Sequence, residues 1–319
     1  MGTPVLEVNR LTVHLKKRKN IFKVIDDLSF EVYPGEILGL VGESGAGKSI
    51  TGSAIIGLIE PPLFISSGEI SLHSKIIDHH TQKLRGTEIS MVFQDPLMSL
   101  NPLRRVGDQL VETIMTHIKM SKSDAIERAK QLLAEVGIDP ARFNAYPHTF
   151  SGGMRQRVVI ALALAPEPSL IIADEPTTAL DVSVQAQILR LLKTLCSQRG
   201  TAIILITHDM GVIAQTADRV AVLYAGRLAE VGRTYKILHA PKHPYTKGLV
   251  AATPKIDASS VAQKLYQIPG SIPSLDQIPT GCAFHPRCAQ AVAKCQQARP
   301  PLLSGEAACW LLDGNEGAI

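Results

Sequence analysis

The chain has 319 residues, of which 45% are hydrophobic and 19% are charged, and its formal net charge is +4. These proportions are ordinary for a globular protein, and the length allows two domains or one large domain with an appendage. The apolar run at residues 158–165 is too short to cross a membrane, and the first residues lack an apolar signal region. We therefore expect a cytosolic chain without a membrane-spanning helix, and the small, dispersed charge argues against a nucleic-acid partner.

Alternating apolar and polar residues predict two antiparallel strands near the start of the chain, over residues 6–15 and 24–32. The basic run at residues 16–19 lies between them, and we interpret it as a solvated hairpin loop. Pro34-Gly35 then turns the chain into a third strand, predicted at residues 36–41.

The third strand leads into a stretch with the spacing of a phosphate-binding loop, and a helix is predicted from Lys48 to about residue 57. The stretch consists of Gly42, Glu43, Ser44, Gly45, Ala46, Gly47, Lys48 and Ser49. Its glycines allow successive backbone N–H groups to point at one phosphate, and the helix N-terminus adds its positive dipole end. Lys48 is expected on the β- and γ-phosphates and Ser49 on a magnesium ion, so the expected ligand is a nucleoside triphosphate with Mg²⁺. The alternative is a glycine-rich turn that matches by accident.

The remaining elements alternate between strands and helices, which predicts a doubly wound α/β sheet. The predicted segments are a turn into a strand at residues 67–70, a strand at 89–93, a helical insert at 96–165, a strand at 169–173, a helix at 185–198, a strand at 201–206 and a hairpin of strands at 220–224 and 227–231. After about residue 233 prolines become frequent, which indicates a loop-rich appendage.

Polar side chains follow three of the apolar strands, at the ends where a doubly wound sheet binds ligands. Asp174 is expected to hold the magnesium, and Glu175 to polarise the water that attacks the γ-phosphorus. His208 is expected to contact the γ-phosphate and Glu175, and Gln94 to sense the magnesium and the attacking water. The alternatives are that the acidic pair caps a helix and that the histidine lies in the interior.

A second glycine-rich turn opens a helix within the insert, at Ser151, Gly152 and Gly153. Such a helix start is a second anion-binding surface, about 100 residues from the first, and one nucleotide does not need two in one subunit. A head-to-tail dimer, in which each chain covers the nucleotide of the other, explains both turns. The alternative is an ordinary capped helix.

These motifs, in this order, resemble the ATP-binding subunit of an ABC transporter over about residues 5–250. In that family residues 42–49 correspond to Walker A, Gln94 to the Q-loop and residues 151–153 to the signature. Asp174 and Glu175 correspond to Walker B with its catalytic carboxylate, residues 179–181, including Asp181, to the D-loop, and His208 to the H-loop. The resemblance implies an α/β P-loop domain at residues 1–250, with a RecA-like mixed sheet, an antiparallel β subdomain and a helical subdomain at about 95–165. The family stacks adenine on an aromatic residue, for which His14 or Phe22 would substitute here.

Shorter sequence motifs, such as His243-Pro244-Tyr245-Thr246, resemble those of the peptide/nickel importer branch, especially its dipeptide and oligopeptide subunits. That branch implies two transmembrane permeases, an external substrate-binding protein and a second ATPase subunit, a paralogue rather than a copy. It places the chain peripherally on the cytoplasmic face of the inner membrane. Importers of nickel, metallophores or other solutes in the same branch are the alternative. A soluble ABC ATPase acting on DNA or ribosomes is disfavoured, because the chain has neither a long coiled-coil insert nor a second cassette.

Four of the five cysteines lie in the extension at residues 251–319: Cys282, Cys288, Cys295 and Cys309. Clustered thiols in a cytosolic chain suggest a metal site. Their spacing alone leaves a [4Fe–4S] cluster, zinc and unligated thiols open, and the resemblance to the dipeptide/oligopeptide branch favours the cluster, in a structural role. Cys196 is predicted to be a buried structural residue.

Overall fold

The computed structural model describes residues 2–77, 82–178, 180–253, 266–303 and 305–313. The strands are β1 (Leu6–Lys17), β2 (Asn20–Val32), β3 (Ile37–Val41), β4 (Leu63–Leu72), β5 (Lys75–Ile76), β6 (Ile89–Val92), β7 (Leu170–Asp174), β8 (Ala202–Thr207), β9 (Arg219–Tyr224) and β10 (Arg227–Arg233). The α-helices are α1 (Lys48–Ile55), α2 (Pro96–Ser99), α3 (Val106–His117), α4 (Lys122–Glu135), α5 (Gly152–Leu164), α6 (Val182–Arg199), α7 (Met210–Thr216), α8 (Thr234–His239), α9 (Pro244–Ala252) and α10 (Ala293–Gln297). Short 3₁₀ helices occupy Gln82–Leu84, Pro140–Asn144, Pro147–Thr149, His285–Arg287 and Trp310–Leu312.

The chain forms two compact units, of which the first comprises Met1–Val5, Val32–Ile37 and Asp78–Leu205. In this unit β6 and β7 pair in parallel, with Val92 opposite Ala173. β8 follows beside β7, and at its start the Ala202 N–H donates to the Ser169 carbonyl over 2.9 Å. β7 is buried along its whole length, as its apolar sequence predicts for a central parallel strand.

The predicted helical insert is confirmed as α2 to α5. Leu110 of α3 and Leu132 of α4 lie on the apolar faces that the sequence predicted, and both are fully buried. Arg157 of α5 donates to the Val136 carbonyl after α4 (2.7 Å) and to Gln187 Oε1 of α6 (2.9 Å). The insert is therefore fixed to α6, which follows β7 in the chain.

The second unit comprises Leu6–Glu31, Leu38–Ile77 and Ile206–Ile319. It contains an antiparallel sheet in the order β2-β1-β4-β5, and a mixed arrangement in the order β10-β9-β3, in which β9 is parallel to β3 and antiparallel to β10. The hairpin between β9 and β10 is confirmed, because Ala225 and Gly226 both have positive φ, 47° and 76°. The basic run at residues 16–19 forms the exposed end of the β1–β2 hairpin, as predicted.

The prediction of a turn at residues 67–70 was wrong, because β4 runs unbroken from Leu63 to Leu72 and pairs with β1. Gly68 has a φ of 95°, and a Cβ there would lie 2.5 Å from the Leu11 Cα. The pairing register shifts between Asn9 and Thr12. The glycine therefore marks a bulge and a close approach of two backbones within a strand.

The C-terminal extension attaches to β10 and β2 within the second unit. Ala308 N–H donates to the Ala229 carbonyl over 2.8 Å, so the extension adds backbone hydrogen bonds to β10. Arg299 lies 3.5 Å from Asp26 and 3.6 Å from Asp27, forming ion pairs with β2. Among the residues that the structure describes, no helix has the length and apolar character needed to cross a membrane.

Candidate nucleotide-binding and catalytic site

The predicted phosphate loop joins β3 to α1 in the second unit. Gly42 directly follows the buried strand β3 and lies close to Leu223. A Cβ on Gly42 would lie 2.3 Å from the Leu223 carbonyl oxygen. Gly47 has a φ of 99°, and a Cβ there would lie 2.5 Å from Ile25 Cδ1. Both positions therefore require glycine for packing as well as for the loop conformation.

Lys48 lies back across the loop that precedes it. The side chain is buried, and its Nζ donates to the carbonyl oxygens of Gly42 (2.8 Å) and Glu43 (3.1 Å). Ser44, Gly45 and Ser49 are exposed at the mouth of the same loop. A positive charge held against the loop backbone, with an exposed mouth beside it, suits a phosphate group.

Neighbouring elements of the second unit hold the loop in place. The Glu43 N–H donates to the Tyr245 hydroxyl of α9 over 2.9 Å. The Gly226 N–H, from the β9–β10 turn, donates to the Ala46 carbonyl over 3.0 Å. The glycine spacing predicts the loop, whereas no local pattern in the sequence points to the contact that Tyr245 makes with it.

In the first unit, the structure brings together Glu175 and Gln94, which the sequence placed at the ends of separate strands. Gln94 Nε2 donates to Glu175 Oε2 over 3.2 Å. Thr178 Oγ1 donates to the same oxygen over 2.9 Å, a contact that the sequence analysis missed. Glu175 has a φ of 46°, and Asp174 before it is buried at the end of β7. An oriented carboxylate on a strained backbone is typical of a functional site.

The alternative that the acidic pair caps a helix is wrong, because α6 is capped by Asp181. The Asp181 carboxylate accepts a hydrogen bond from the Val184 N–H over 3.0 Å. Asp181 belongs to the predicted D-loop, of which Ala179 lies outside the described residues.

The second glycine-rich turn begins α5, where Ser151 Oγ accepts a hydrogen bond from the Met154 N–H over 3.4 Å. Ser151 and Gly152 are exposed, whereas Gly153 is buried against α6. A Cβ on Gly153 would lie 2.3 Å from Val184 Cγ1. The turn therefore presents one surface outward and packs the other against a neighbouring helix.

His208 follows β8 in the second unit and is exposed, so the interpretation as an interior histidine was wrong. Asp209 beside it caps α7, accepting from the Gly211 N–H over 2.7 Å. The proposed contacts of His208 with a γ-phosphate and with Glu175 stay predictions. The adenine-stacking residue also stays a prediction: the His14 ring packs edge-on against Phe64, with centroids 5.5 Å apart, and Phe22 is half-buried.

The four cysteines of the extension are free thiols in the second unit. The Cys282 N–H donates to the Cys295 carbonyl over 2.8 Å. Burial raises the pKa of the Cys282 thiol to about 11, and burial also raises the thiol pKa of Cys288 and of Cys309. Within the described ranges, no group of three or more His, Cys, Asp or Glu side chains is arranged to hold a metal ion. The structure therefore does not support the predicted [4Fe–4S] or zinc ligands. Cys196 on α6 is buried, as predicted.

A glycine-rich loop after a buried strand, together with an oriented carboxylate at the end of a parallel strand, defines a P-loop nucleotide-hydrolysing protein. A family model described as "ABC transporter" matches residues 25–178, and one described as "Oligopeptide/dipeptide transporter, C-terminal region" matches residues 229–295. The chain belongs to the ABC transporter family of ATP-binding proteins, in its oligopeptide/dipeptide branch.

Curated relatives match over nearly the whole chain. The oligopeptide transport ATP-binding protein AppD of Bacillus subtilis is 45% identical over 324 residues, covering 98% of each chain. OppD of the same organism is 48% identical over 307 residues, covering 94% of this chain and 86% of OppD. The dipeptide transport ATP-binding protein DppD of Escherichia coli is 43% identical over 304 residues, covering 93% of this chain and 92% of DppD.

Solved structures of ATP-binding cassettes share the fold. A dimeric post-hydrolysis state of the cassette MJ0796 bound to ADP and Pi matches with a TM-score of 0.64 and 28% identity, covering 72% of this chain and 98% of that one. CbiO1 from Clostridium perfringens, part of the transporter complex cbiONQ, matches with a TM-score of 0.67 and 27% identity, covering 75% and 92%.

Proposed function

We propose that this chain is the ATP-hydrolysing subunit that energises the import of dipeptides or oligopeptides, bound peripherally at the cytoplasmic face of the cell membrane. The proposal is supported by full-length similarity to AppD, DppD and OppD, which are named as dipeptide or oligopeptide transport ATP-binding proteins. The match to the oligopeptide/dipeptide C-terminal region at residues 229–295 supports the same substrate class.

The observation that supports ATP hydrolysis is the position of the Glu175 carboxylate, which accepts hydrogen bonds from Gln94 and Thr178. Two donors fix the orientation of an acceptor, and an oriented acceptor aligns the attacking water with the γ-phosphorus. Lys48 binds the β- and γ-phosphates, and His208 donates a hydrogen bond to the γ-phosphate.

Ser49, Gln94 and Asp174 would supply oxygen ligands for Mg²⁺. Hydroxyl, amide and carboxylate oxygens suit this ion, and Asp174 ends a buried strand as such a ligand requires. When bound, the ion would supply positive charge to offset the negative charge that develops on the phosphates.

Ser151, Gly152 and Gly153 of this chain cover the nucleotide of a neighbouring ATPase subunit, whose corresponding turn covers the nucleotide bound here, with Asp181 close to the shared boundary. The exposed Ser151 and Gly152 leave that surface open to a second chain. The dimeric state of the similar cassette MJ0796 with ADP and Pi supports this arrangement. The second ATPase subunit is a paralogue rather than a copy.

The permeases dock on the helical insert. Exposed apolar side chains occur together around α2: Phe93 is 45% exposed, Leu97 57%, Met98 86% and Leu103 86%. Apolar surface of this kind is typical of a protein–protein contact. The two permeases and an external substrate-binding protein complete the transporter.

The four cysteines take no part in this mechanism, and the described residues contain no group of three or more side chains arranged to hold a [4Fe–4S] cluster or zinc. An optical spectrum and a metal analysis of anaerobically purified protein test the sequence-based expectation directly. Iron with the absorbance of a cluster would reinstate it, and the absence of both iron and zinc would end it.

The proposed function is tested with the chain assembled with its permeases in lipid vesicles and supplied with the binding protein. Dipeptides or oligopeptides are expected to stimulate ATP hydrolysis and to accumulate inside, and the Glu175→Gln complex is expected to do neither. Stimulation by nickel chelates with no response to any peptide would overturn the substrate class.

A further inference from the structure

Arg287 of the C-terminal extension reaches the phosphate loop. Its Nη1 lies 3.0 Å from Glu43 Oε2, although the two residues are 244 positions apart in the chain. The Arg287 side chain is 7% exposed and the Glu43 side chain 28%. The ion pair is therefore largely shielded from water, and such pairs are screened far less than surface pairs.

The two carboxylate oxygens of Glu43 have different surroundings. Oε2 pairs with Arg287, whereas Oε1 is buried without a hydrogen-bond partner in the described part of the chain. A carboxylate in this position is costly unless a positive charge offsets its lost hydration. Arg287 supplies that charge, so its removal would favour loop conformations that expose Glu43 to water.

The extension fixes the orientation of the Arg287 guanidinium. Nε donates to the Pro269 carbonyl over 2.7 Å, and Nη2 donates to the Gly270 carbonyl over 3.3 Å. Nη1 also donates to the Tyr224 hydroxyl over 3.3 Å. A planar group with this many fixed donors cannot be replaced by the single ammonium of lysine.

The backbone of Glu43 is held as well as its side chain. Its N–H donates to the hydroxyl of Tyr245, which is fully buried. The Tyr245 ring packs edge-on against Tyr224, with centroids 4.7 Å apart. We call Arg287, Tyr224 and Tyr245 the Glu43 clamp.

A displacement of Glu43 would directly disturb Lys48, the proposed phosphate-binding residue. Lys48 Nζ donates to the Glu43 carbonyl over 3.1 Å, so the residue that the clamp holds is also one that orients the lysine. Misplacement of a phosphate-binding ammonium weakens every charge-assisted hydrogen bond that it makes.

We infer that Arg287 and Tyr245 are positioning residues for ATP hydrolysis, which act through Glu43 to hold the phosphate loop and thereby set its affinity for ATP. The C-terminal extension is then a part of the nucleotide site. This inference deepens the proposed function, because it rests on residues 42–49 being the phosphate loop.

The test uses the full chain with Arg287→Gln, Glu43→Gln and the double variant, measuring the affinity for a non-hydrolysable ATP analogue together with KM and kcat. Each single variant is expected to weaken analogue binding and to raise KM about tenfold, with kcat changed less than twofold. The double variant is expected to match the singles, because both remove the same interaction.

Arg287→Gln also removes contacts inside the extension, so two variants leave those contacts intact. Glu43→Gln removes the ion pair from the loop side, and Tyr245→Phe removes only the hydroxyl that accepts from the Glu43 N–H. Arg299→Gln is the matched control, because it loosens the extension at Asp26 and Asp27 and leaves the Arg287–Glu43 ion pair in place. Its KM is expected to stay at the wild-type value.

A further variant, Lys48→Ala, distinguishes failure of the phosphate-loop assignment from failure of the clamp. Wild-type ATP affinity in Lys48→Ala would overturn the phosphate-loop assignment itself. Loss of binding in Lys48→Ala with unchanged KM in Arg287→Gln, Glu43→Gln and Tyr245→Phe would overturn the clamp alone. Additive effects in the double variant, or an equal rise of KM in Arg299→Gln, would also overturn it.

Discussion

Two helices of this chain begin at glycine-rich turns, and the two turns differ in how they are packed and how far they are exposed. At the start of α1, Gly42 packs against Leu223 and Glu43 is held by Tyr245. At the start of α5, Ser151 and Gly152 are exposed, and the visible hydrogen bond is the local cap from the Met154 N–H to Ser151 Oγ. The first turn is a preformed cradle, whereas the second offers an open surface. In the proposed mechanism, affinity for ATP therefore resides in the α1 turn and closure in the α5 turn of a neighbour.

The largest expected effect comes from Glu175→Gln, which tests whether the two turns share a nucleotide. Loss of the base is expected to lower steady-state phosphate release by at least about 100-fold. ATP binding is expected to persist, so in the presence of the second ATPase subunit a nucleotide-bound dimer should accumulate and be visible by light scattering. Normal hydrolysis would remove Glu175 from the mechanism, and a variant that binds ATP without pairing with the second ATPase subunit would break the comparison.

Lys48→Ala tests the α1 turn by itself. The loss of charge-assisted hydrogen bonds to phosphate is expected to weaken ATP binding by roughly 10- to 100-fold, measured by calorimetry on the single chain. The α5 turn is not needed for this measurement. Unchanged affinity would show that the preformed cradle is not the binding site.

Gly153→Ala tests how the α5 turn is seated on α6. The added methyl would lie 2.3 Å from Val184 Cγ1, so an overpacking cost is expected. We expect the free energy of unfolding to fall by about 1–3 kcal/mol in chemical denaturation.

Gly152→Ala is the matched control, since its methyl would make an ordinary contact, 3.6 Å from Leu180 Cδ2. Equal stability of the two variants would contradict the tight packing of Gly153. A loss of ATP affinity in the isolated Gly153→Ala chain would contradict the division of roles between the turns.

The smallest expected effect is the pH dependence of stability that His243 contributes. His243 contacts Tyr245, which holds the α1 turn. Its Nδ1 accepts from the Tyr245 N–H over 3.0 Å, and burial lowers its pKa from 6.5 to about 4. The folded state holds this histidine neutral, so acid favours unfolding as the pH falls from about 6.5 towards 4. Between pH 7 and pH 5.5 we expect it to remove about 1 kcal/mol from the free energy of unfolding.

His243→Asn keeps a side chain that can cap α9 but does not titrate. The difference in stability between this variant and the wild type is expected to change with pH across that window. A constant difference would show that His243 is not held neutral in the folded chain.

Sequence reasoning found the groups that obey local rules. The alternation of apolar strands with polar residues at their ends led to Asp174, Glu175 and Gln94, and the glycine spacing led to the phosphate loop. The structure then showed a hydrogen bond between Gln94 and Glu175, which are 81 positions apart, because two parallel strands end side by side.

The contacts that sequence reasoning missed depend on long-range packing. Arg287 carries no periodic signal that points to Glu43, and the pair arises only when the extension folds back on the loop. Gly68 was mistaken for a turn because a glycine beside a serine has the same local pattern in a turn and in a bulge. The spacing of the four thiols suggests a metal site, but the described residues contain no group of three or more side chains arranged to hold a metal ion.

The hydrogen bond from Ala308 to Ala229 has a further consequence for the behaviour of the chain in solution. β10 is an edge strand in the second unit. An uncovered edge strand offers N–H and carbonyl groups to any other extended chain. The C-terminal extension occupies part of this edge through Ala308, so it also protects the molecule from non-native self-association.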